Sequence, residues 1–570
     1  AGILEFSPEG EPYGTWFHPS RVFAQTSTET IERFTGSVRL EWQPTSWLRS
    51  HATVGLDMPG SHRYNLVRRD AWENYQGTVG EDRVRSKIVT AEVGATAGYR
   101  WQDLSFRTSI GSQYVHNLRN TVVVTGSNLR PGGSSIIDAA TLQAEHYYHE
   151  TVTLGTYVEQ VIGLRDRLFV TGAVRADGAS TFGSAYKAAI YPKAGVSWVV
   201  SEEPFMPRLP WLTDLRLRYA YGVSGQQPTP GMRHIALQQA ARFVDGQDQP
   251  AIDLVRLGNP SLRPEKVKEH EAGVDITAFD GRVALEMSAF RRRTVDQINN
   301  ITLPASFGFY WTNIGLVTGR GAEVRLDARV LESPLFAWDV TLSHSRQNNK
   351  IEDLGGIAPT YRTTGGSVEG FPIGARFMRP LLGYEDKNGN GLIELDELQM
   401  GDTAVFVGRS TPGVIRTLTT TLGFFQQKVR LSALVEHRGD FIQYNYIREG
   451  LRPFAREAVD PTAPLVKQAE MMATYAGPAP GQPGTDYTFN EPGDFTRLRE
   501  LTLAFSVPPT LTRAFGMDRA TVSLSGRNLA LWTKYSGPDP ESIRLNGPHG
   551  GRADTVPQSR YWVIRLDVGF

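Results

Sequence analysis

Cysteine is absent from this 570-residue sequence, which excludes disulfide bonds, thiolate zinc sites and a cysteine nucleophile. No run of about 18 apolar residues occurs, so the sequence offers no transmembrane helix. The 60 basic and 60 acidic side chains cancel to a net charge of zero. This balance argues against a nucleic-acid partner, because binding to phosphates needs a basic face that replaces counterions.

Hydrophobic residues make up 40% of the chain, and over many segments they alternate with polar residues. Residues 322–330 read AEVRLDARV and residues 215–223 read LRLRYAYGV, which places apolar side chains together on one face. This pattern is typical of strands with one apolar and one polar face. It predicts about seventeen strands, at residues 34–43, 47–57, 86–100, 103–117, 146–162, 165–177, 188–200, 213–224, 266–279, 282–297, 315–330, 336–350, 412–425, 427–440, 495–507, 519–532 and 560–570.

Short and long connections alternate between these predicted strands. The segments 43–46 and 280–282 are short, whereas 225–265 and 351–411 are long. The alternation places all long loops at one end of an antiparallel up-and-down sheet, which is the layout of a transmembrane β-barrel with long extracellular loops. A soluble sandwich or several β domains in tandem would show the same strand pattern. Charge confined to one strand face and aromatic residues near strand ends favour the barrel.

The last predicted strand ends in an aromatic residue, as outer-membrane barrel strands do. Its membrane-facing side chains are predicted to be Trp562, Ile564, Leu566, Val568 and Phe570. Because this strand would run inward, residues 1–33 are expected to be the remnant of an extracellular loop. Residues 34–570 are then expected to be the C-terminal portion of a larger barrel. A closed bacterial barrel has an even number of strands, so an odd number is expected upstream.

Four stretches resemble a known family. They are PKAGVSWVVSEEPFM at 192–206, GNPSLRPEKVKEHEAGVDI at 258–276, RLRELTLAFSVPP at 497–509 and GRNLALWTKYSGPDPES at 526–542. In this order they are similar to segments of the SusC/RagA-type TonB-linked outer-membrane proteins, a branch of the TonB-dependent receptors. The resemblance spans roughly residues 190–570, and residues 1–190 match only in strand rhythm.

The resemblance implies a barrel of about 22 strands, of which about 17 are present here, in the outer membrane of a Gram-negative-type bacterium. It also implies a plug domain and a TonB contact, neither of which is expected within these 570 residues. The implied function is energised uptake of large nutrients, oligosaccharides or peptides, together with a SusD-like surface lipoprotein. Two alternatives stay open: a passive porin or structural barrel without TonB coupling, and an extracellular β-rich carbohydrate-binding or adhesin protein.

Residues 386–397, DKNGNGLIELDE, match the calcium-loop spacing D-x-N-x-N-G-x-x-x-x-x-E at every position. Gly391 would allow the sharp turn of such a loop. A structural calcium ion bracing a long loop is therefore expected, and the alternative is an acidic turn without metal. The predicted oxygen ligands are Asp386, Asn388, Asn390, Leu392 through its carbonyl, Glu394 and Glu397.

Aromatic residues in the long loops are candidates for stacking on sugar rings, or for packing the loops together. They include Phe309, Tyr310 and Trp311 within FGFYW at 307–311, and Tyr361. The basic run 291–293 is expected to form a solvated or lumen-facing rim, with lipopolysaccharide contact as the alternative. No G-x-S-x-G, H-E-x-x-H, phosphate-loop or triad pattern is present, so nothing in the sequence supports an enzyme.

Overall fold

The computed structural model describes residues 25–69, 71, 75–244, 246–302, 309–445, 460–537, 539–541 and 558–570. The protein is all-β, and none of the helices in these ranges is long and apolar enough to cross a membrane. The first fourteen strands are β1 (Gln25–Thr45), β2 (Leu48–Val67), β3 (Thr78–Trp101), β4 (Leu104–Leu129), β5 (Ala139–Leu164), β6 (Leu168–Ala179), β7 (Ala189–Val199), β8 (Leu212–Gln226), β9 (Ala236–Val244), β10 (Gln247–Leu257), β11 (Glu265–Ala278), β12 (Val283–Val295), β13 (Ile298–Thr302) and β14 (Phe309–Asn313).

The second half of the chain contains thirteen further strands and two described α-helices. The helices are α1 (Leu465–Ala473) and α2 (Pro509–Ala514). The strands are β15 (Leu316–Glu332), β16 (Phe336–Asp353), β17 (Ala375–Met378), β18 (Leu381–Tyr384), β19 (Leu398–Met400), β20 (Val405–Arg409), β21 (Val414–Phe424), β22 (Val429–Gly439), β23 (Ile442–Tyr444), β24 (Asn490–Pro492), β25 (Phe495–Ser506), β26 (Arg519–Thr533) and β27 (Tyr561–Gly569).

Every one of the seventeen predicted segments overlaps a strand of the largest sheet, which contains β1–β8, β11, β12, β15, β16, β21, β22 and β25–β27. The main difference is length. β1 begins at Gln25 instead of residue 34, and β4 continues to Leu129 instead of ending at residue 117. At these ends the alternation of apolar and polar residues fades, but the cross-strand pairing persists. Leu66, Val79 and Leu129 form a small buried cluster there.

The chain divides into two compact units, and unit 1 comprises residues 1–196, 220–269 and 294–316. Within it β1 to β6 pair antiparallel, each strand with the next. Val54 and Val93 lie on one face of this ladder and are 57% and 58% exposed. The other face carries ion pairs, such as Arg33 with Asp57 at 2.8 Å.

Unit 2 comprises residues 197–219, 270–293 and 317–570, and it has the same two-faced construction. Its ladder runs β16, β21, β22, β25, β26, β27, and each of these strands pairs antiparallel with the next. Leu524 lies opposite Leu503 on one side and Ile564 on the other. These three side chains are 42%, 49% and 78% exposed. An apolar face this extensive indicates contact with an apolar partner, either another protein surface or the lipid of a membrane.

The long connections are more structured than the sequence analysis expected. In unit 1, β9, β10, β13 and β14 form a separate four-stranded sheet. In unit 2, β17 pairs with β20, β18 with β19 and β23 with β24. Ala375 and Phe377 lie in a buried core that these unit 2 connections enclose, together with Val368, Ala404 and Ala479. These strands are too short to show an alternation of apolar and polar residues, and packing around the buried core stabilises them instead.

Candidate functional site

The polar face of unit 2 carries a charged cavity of about 410 Å³. Arg218 on β8 donates from Nε to Asp275 on β11 at 3.0 Å and lies 3.5 Å from Glu271. Alternation along each strand brings these side chains to one face, since polar residues follow at every second position. The cavity is lined by Arg218, Glu271, Glu286, Glu323 and Arg325, with serine and threonine side chains. Such a surface offers both hydrogen-bond donors and acceptors to a polar solute.

A buried ion cluster fastens the segment after β26 to the polar face of β25. Arg497 Nη2 lies 2.6 Å from Asp539 Oδ1, and both side chains are 3% exposed. Arg497 Nε lies 3.0 Å from Glu541 Oε2, but the angle leaves Nε without a hydrogen bond. Arg499 extends the cluster, because it binds Glu541 at 2.5 Å and Glu436 on β22 at 2.9 Å.

This cluster is not among the sites predicted from the sequence. Both halves lie in stretches that carried the family resemblance, RLRE at 497–500 and GPDPES at 537–542. The features in the sequence that could have indicated the cluster are the two arginines, Arg497 and Arg499, and the Asp-Pro-Glu triplet at 539–541. Nothing in their separation along the chain indicated that they meet.

The structure places Phe309, Tyr310 and Trp311 on β14, within the four-stranded sheet of unit 1. All three are half-buried, and the rings of Phe309 and Trp311 meet edge to face at 5.8 Å. Asn259 Nδ2 donates to the carbonyl of Trp311 at 2.8 Å. Within the described ranges the buried Trp311 indole nitrogen has no hydrogen-bond partner. Residues 307 and 308 of the same aromatic run lie outside those ranges.

Tyr361 lies elsewhere, in the core of the unit 2 connections. Its ring packs against Phe377 edge to face, with ring centroids 5.1 Å apart. This core belongs to unit 2, whereas β14 belongs to unit 1. For Tyr361 the observed contact is packing within the loop.

The predicted calcium loop is closed by its own backbone. Asp386 accepts N–H groups of Gly389 and Gly391, at 2.8 and 2.9 Å, and Gly391 has a φ of 80°. Glu397 is 2% exposed and accepts the N–H groups of Lys387, Asn388 and Glu394. The other predicted ligands, Asn388, Asn390, Leu392 and Glu394, belong to the same turn. Among the described residues, no group of three or more His, Asp or Glu side chains is arranged to hold a metal.

The side chain of Gln468 on α1 forms hydrogen bonds with the backbone of this loop. Its side chain is completely buried; Oε1 accepts from Ile393 N–H at 2.9 Å and Nε2 donates to the Gly391 carbonyl at 3.1 Å. The loop is therefore fixed in position by a neighbouring helix. The donor set that it presents is all oxygen, which is the chemistry that calcium prefers.

One exposed connection of unit 1 contains a carboxylate with a perturbed pKa. Asp138 ends the 3-10 turn Ile136–Asp138 between β4 and β5, and its Oδ2 accepts N–H groups of Ser134 and Ser135 at 2.9 and 3.0 Å. These two backbone hydrogen bonds, with the ion pair to Arg130 at 2.7 Å, hold the pKa of Asp138 below its usual range.

The predicted membrane-facing residues lie on or next to β27. Trp562, Ile564, Leu566 and Val568 pair with Gly526, Leu524, Val522 and Ala520 of β26. Trp562, Ile564 and Leu566 are 63%, 78% and 63% exposed. Phe570 follows the strand and is 88% exposed. Their shared face is the apolar face of the unit 2 ladder.

The fold thus defines an all-β protein whose main sheet has an exposed apolar face and a charged opposite face. Residues 4–529 match the family described as TonB dependent receptor-like, beta-barrel. The chain belongs to the TonB-dependent receptor family. Members of this family are outer-membrane β-barrels of Gram-negative bacteria, and they are transporters, not enzymes.

Individual relatives agree with this assignment. The chain is 27% identical to TonB-dependent receptor P26 of Formosa agariphila, over 97% of this chain and 61% of the relative. It is 23% identical to TonB-dependent receptor SusC of Bacteroides thetaiotaomicron, over 76% of this chain and 45% of the relative. The similarity extends across almost the whole chain, which corrects the expectation that only residues 190–570 carry it.

Solved structures show the same fold. The structure of the RagAB peptide transporter covers 96% of this chain with a TM-score of 0.76 at 18% identity. The match covers 63% of that transporter chain. The chain therefore spans about three fifths or less of the length of these relatives.

Proposed function

We propose that this chain forms the wall of an outer-membrane importer that takes up large nutrients. The observation that carries the proposal is the two-faced sheet. Its apolar face is exposed along the strand ladders of both units, while the opposite face holds ion pairs and a charged cavity. A strand whose alternate residues face lipid and water has this pattern.

In this proposal the largest sheet, together with further strands, closes into an up-and-down transmembrane barrel of about 22 strands. The long connections then lie outside the cell. Among the described residues, β1 pairs with β2 and β27 with β26, and the sheet is not closed. A sheet that is not closed has edge strands. In hydrocarbon such an edge must be paired, because unsatisfied N–H and C=O groups are costly there.

Import is energised by TonB acting on a plug domain, and a SusD-like surface lipoprotein captures the substrate. The similarity to SusC and to the RagAB peptide transporter supports this assignment. The substrate class is oligosaccharides or peptides, and Phe309, Tyr310 and Trp311 are proposed to contact it. Aromatic faces on a rigid sheet suit recognition at a loop-rich surface.

The loop at residues 386–397 is proposed to take up calcium as a structural brace. Support comes from the complete ligand spacing, the positive φ of Gly391 and the all-oxygen donor set. Binding would require the carboxylates of Asp386 and Glu397 to turn from backbone N–H groups to the ion. The rigid contact with Gln468 keeps the rest of the loop in place during this change.

Uptake by cells tests the transport proposal. A strain lacking the gene is complemented with it and exposed to fluorescent oligosaccharides and peptides of increasing size, with and without a protonophore. The expected result is gene-dependent uptake of large solutes that the protonophore abolishes. Uptake that persists with the protonophore would identify a passive porin instead, and extraction of the native protein without detergent would identify a soluble adhesin.

A further inference from the structure

The apolar face of unit 2 changes abruptly into a cationic one towards the long-connection end. On β16 the face carries Phe336, Trp338, Val340 and Leu342, and then His344, Arg346, Asn348 and Lys350. Leu342 lies opposite Leu418, and both are about two fifths exposed. β15 changes in the same way, from Val324 to Arg320.

The basic run on β12 divides between the two faces. Arg292 belongs to the polar face, since its Nη2 donates to Gln347 Oε1 at 3.3 Å and its side chain fills the space beside Gly319. Alternation then places Arg291 on the apolar face, beside Arg320. The expectation of one lumen-facing or solvated rim is therefore too simple, because adjacent arginines serve different faces.

Arg291, Arg320 and Lys350 line a cavity of about 390 Å³ together with Thr318, Asn348 and Glu352. Glu352 is the acid of this group, and it is engaged by Lys350 at 2.8 Å and by the Thr318 hydroxyl at 2.7 Å. Within the described part of the chain, Arg291, Arg320 and Arg346 have no ion-pair partner. Arg291 and Arg320 thus line a concave site in which Glu352 is the one acidic residue among the described lining residues, and Arg346 lies next to it on the same face of β16.

The position of the group matches an outer lipid interface. Arg346 follows Phe336 by ten residues, which corresponds to about 33 Å along a strand. At a tilt of about 40° this is about 25 Å across the membrane, the height of the apolar band of an outer-membrane barrel. The guanidinium groups would therefore lie at the level of lipid headgroups, directly above side chains suited to acyl chains.

We propose that Arg291, Arg320, Arg346 and Lys350 bind the phosphate groups of an outer-leaflet glycolipid, an inference that rests on the proposed membrane orientation. Guanidinium groups bind phosphate oxygens through two parallel hydrogen bonds. Continuity of the cluster with the apolar residues Val340 and Leu342 favours a phosphorylated lipid over free phosphate. Its acyl chains would cover that exposed face.

The test uses the full protein in phosphatidylcholine nanodiscs containing bis-phosphorylated lipid A, with retained lipid counted by native mass spectrometry. The triple variant Arg291→Gln, Arg320→Gln, Arg346→Gln is expected to retain lipid A on the order of a hundredfold less strongly, because each cation near the membrane surface contributes a factor of roughly five. The charge-matched control is Arg208→Gln, Arg513→Gln, Arg519→Gln, and it should retain lipid A like the unmodified protein.

Two further measurements separate the outcomes. Dephosphorylated lipid A should be retained weakly by every variant, and inorganic phosphate at millimolar concentration should displace little of the phosphorylated lipid. Equal loss in both triple variants, or equal retention of both lipid forms, would overturn the inference. If the triple variant inserts into bilayers and retains lipid A fully, the inference fails while the transport proposal stands. If the protein does not insert at all, both fail.

Discussion

Arg497 on β25 and Asp539 beyond β26 form an ion pair of 2.6 Å in which both side chains are 97% buried. The pair joins two sequence segments 42 residues apart. A buried charge without its partner is strongly destabilising, because desolvation is no longer compensated. The pair therefore holds the segment after β26 against the sheet.

Removing one partner should show this role. Asp539→Ala is expected to lower the free energy of unfolding by about 3 kcal/mol, because it removes the carboxylate at 2.6 Å from buried Arg497 and leaves that charge to Glu541 at 3.0 Å. The double variant Arg497→Met, Asp539→Leu should recover much of the loss. Urea unfolding in a bilayer measures both, with Asp518→Ala on an exposed turn as the control. A loss below 1 kcal/mol for Asp539→Ala would contradict the role.

The two faces of β26 should respond oppositely to charge. Leu524→Arg places a guanidinium on the apolar face, and in a bilayer this costs about 2–4 kcal/mol near the midplane. Thr521→Arg places the same group on the polar face opposite Asp567, where little cost is expected. Urea titration of folding into bilayers compares the two, and equal costs would show that the apolar face does not contact lipid.

Calcium binding should depend on the last ligand position of the loop. The full protein is expected to bind calcium with a dissociation constant of about 10⁻⁴–10⁻³ M, as extracellular calcium modules do. Glu397→Gln should abolish the heat of binding, whereas Asp396→Asn, a neighbour outside the ligand set, should keep it. Calorimetry without any heat at millimolar calcium would refute the calcium proposal.

The connection that carries Asp138 should loosen in acid. Its lowered pKa means that the carboxylate stabilises the turn above the ordinary aspartate range and that this contribution disappears as the pH falls through the lowered value. Asp138→Asn should therefore speed amide exchange of residues 134–138 several-fold at pH 6 and make little difference at pH 2. Hydrogen-exchange mass spectrometry measures this, and a pH-independent difference would exclude the carboxylate as the cause.

The strands were predictable because each main strand carries a period of two along its length. The extensions of β1 and β4 were not, since their outer residues lack that period and pair only because a neighbouring strand continues beside them. The small sheets within the long connections were missed for a related reason. Strands of three to five residues, such as β17 and β19, are too short to show a period.

The site was less predictable than the fold. Spacing along the chain marks a loop that closes on itself, such as residues 386–397, because Asp386 and Glu397 accept their backbone hydrogen bonds from within the loop. The contact of Arg497 with Asp539 and the packing of Tyr361 against Phe377 depend on how segments separated in the sequence pack. No local pattern reports such packing.

Labelling at single cysteines tests the two-faced sheet most directly, and the absence of native cysteine leaves no background. Each of residues 521–525 on β26 is replaced in turn by cysteine, labelled with an environment-sensitive fluorophore and reconstituted in bilayers. Labels at Val522 and Leu524 should be quenched by spin-labelled lipid chains, and labels at Thr521, Ser523 and Ser525 by aqueous iodide. Quenching by iodide at all five positions would contradict a membrane-spanning wall.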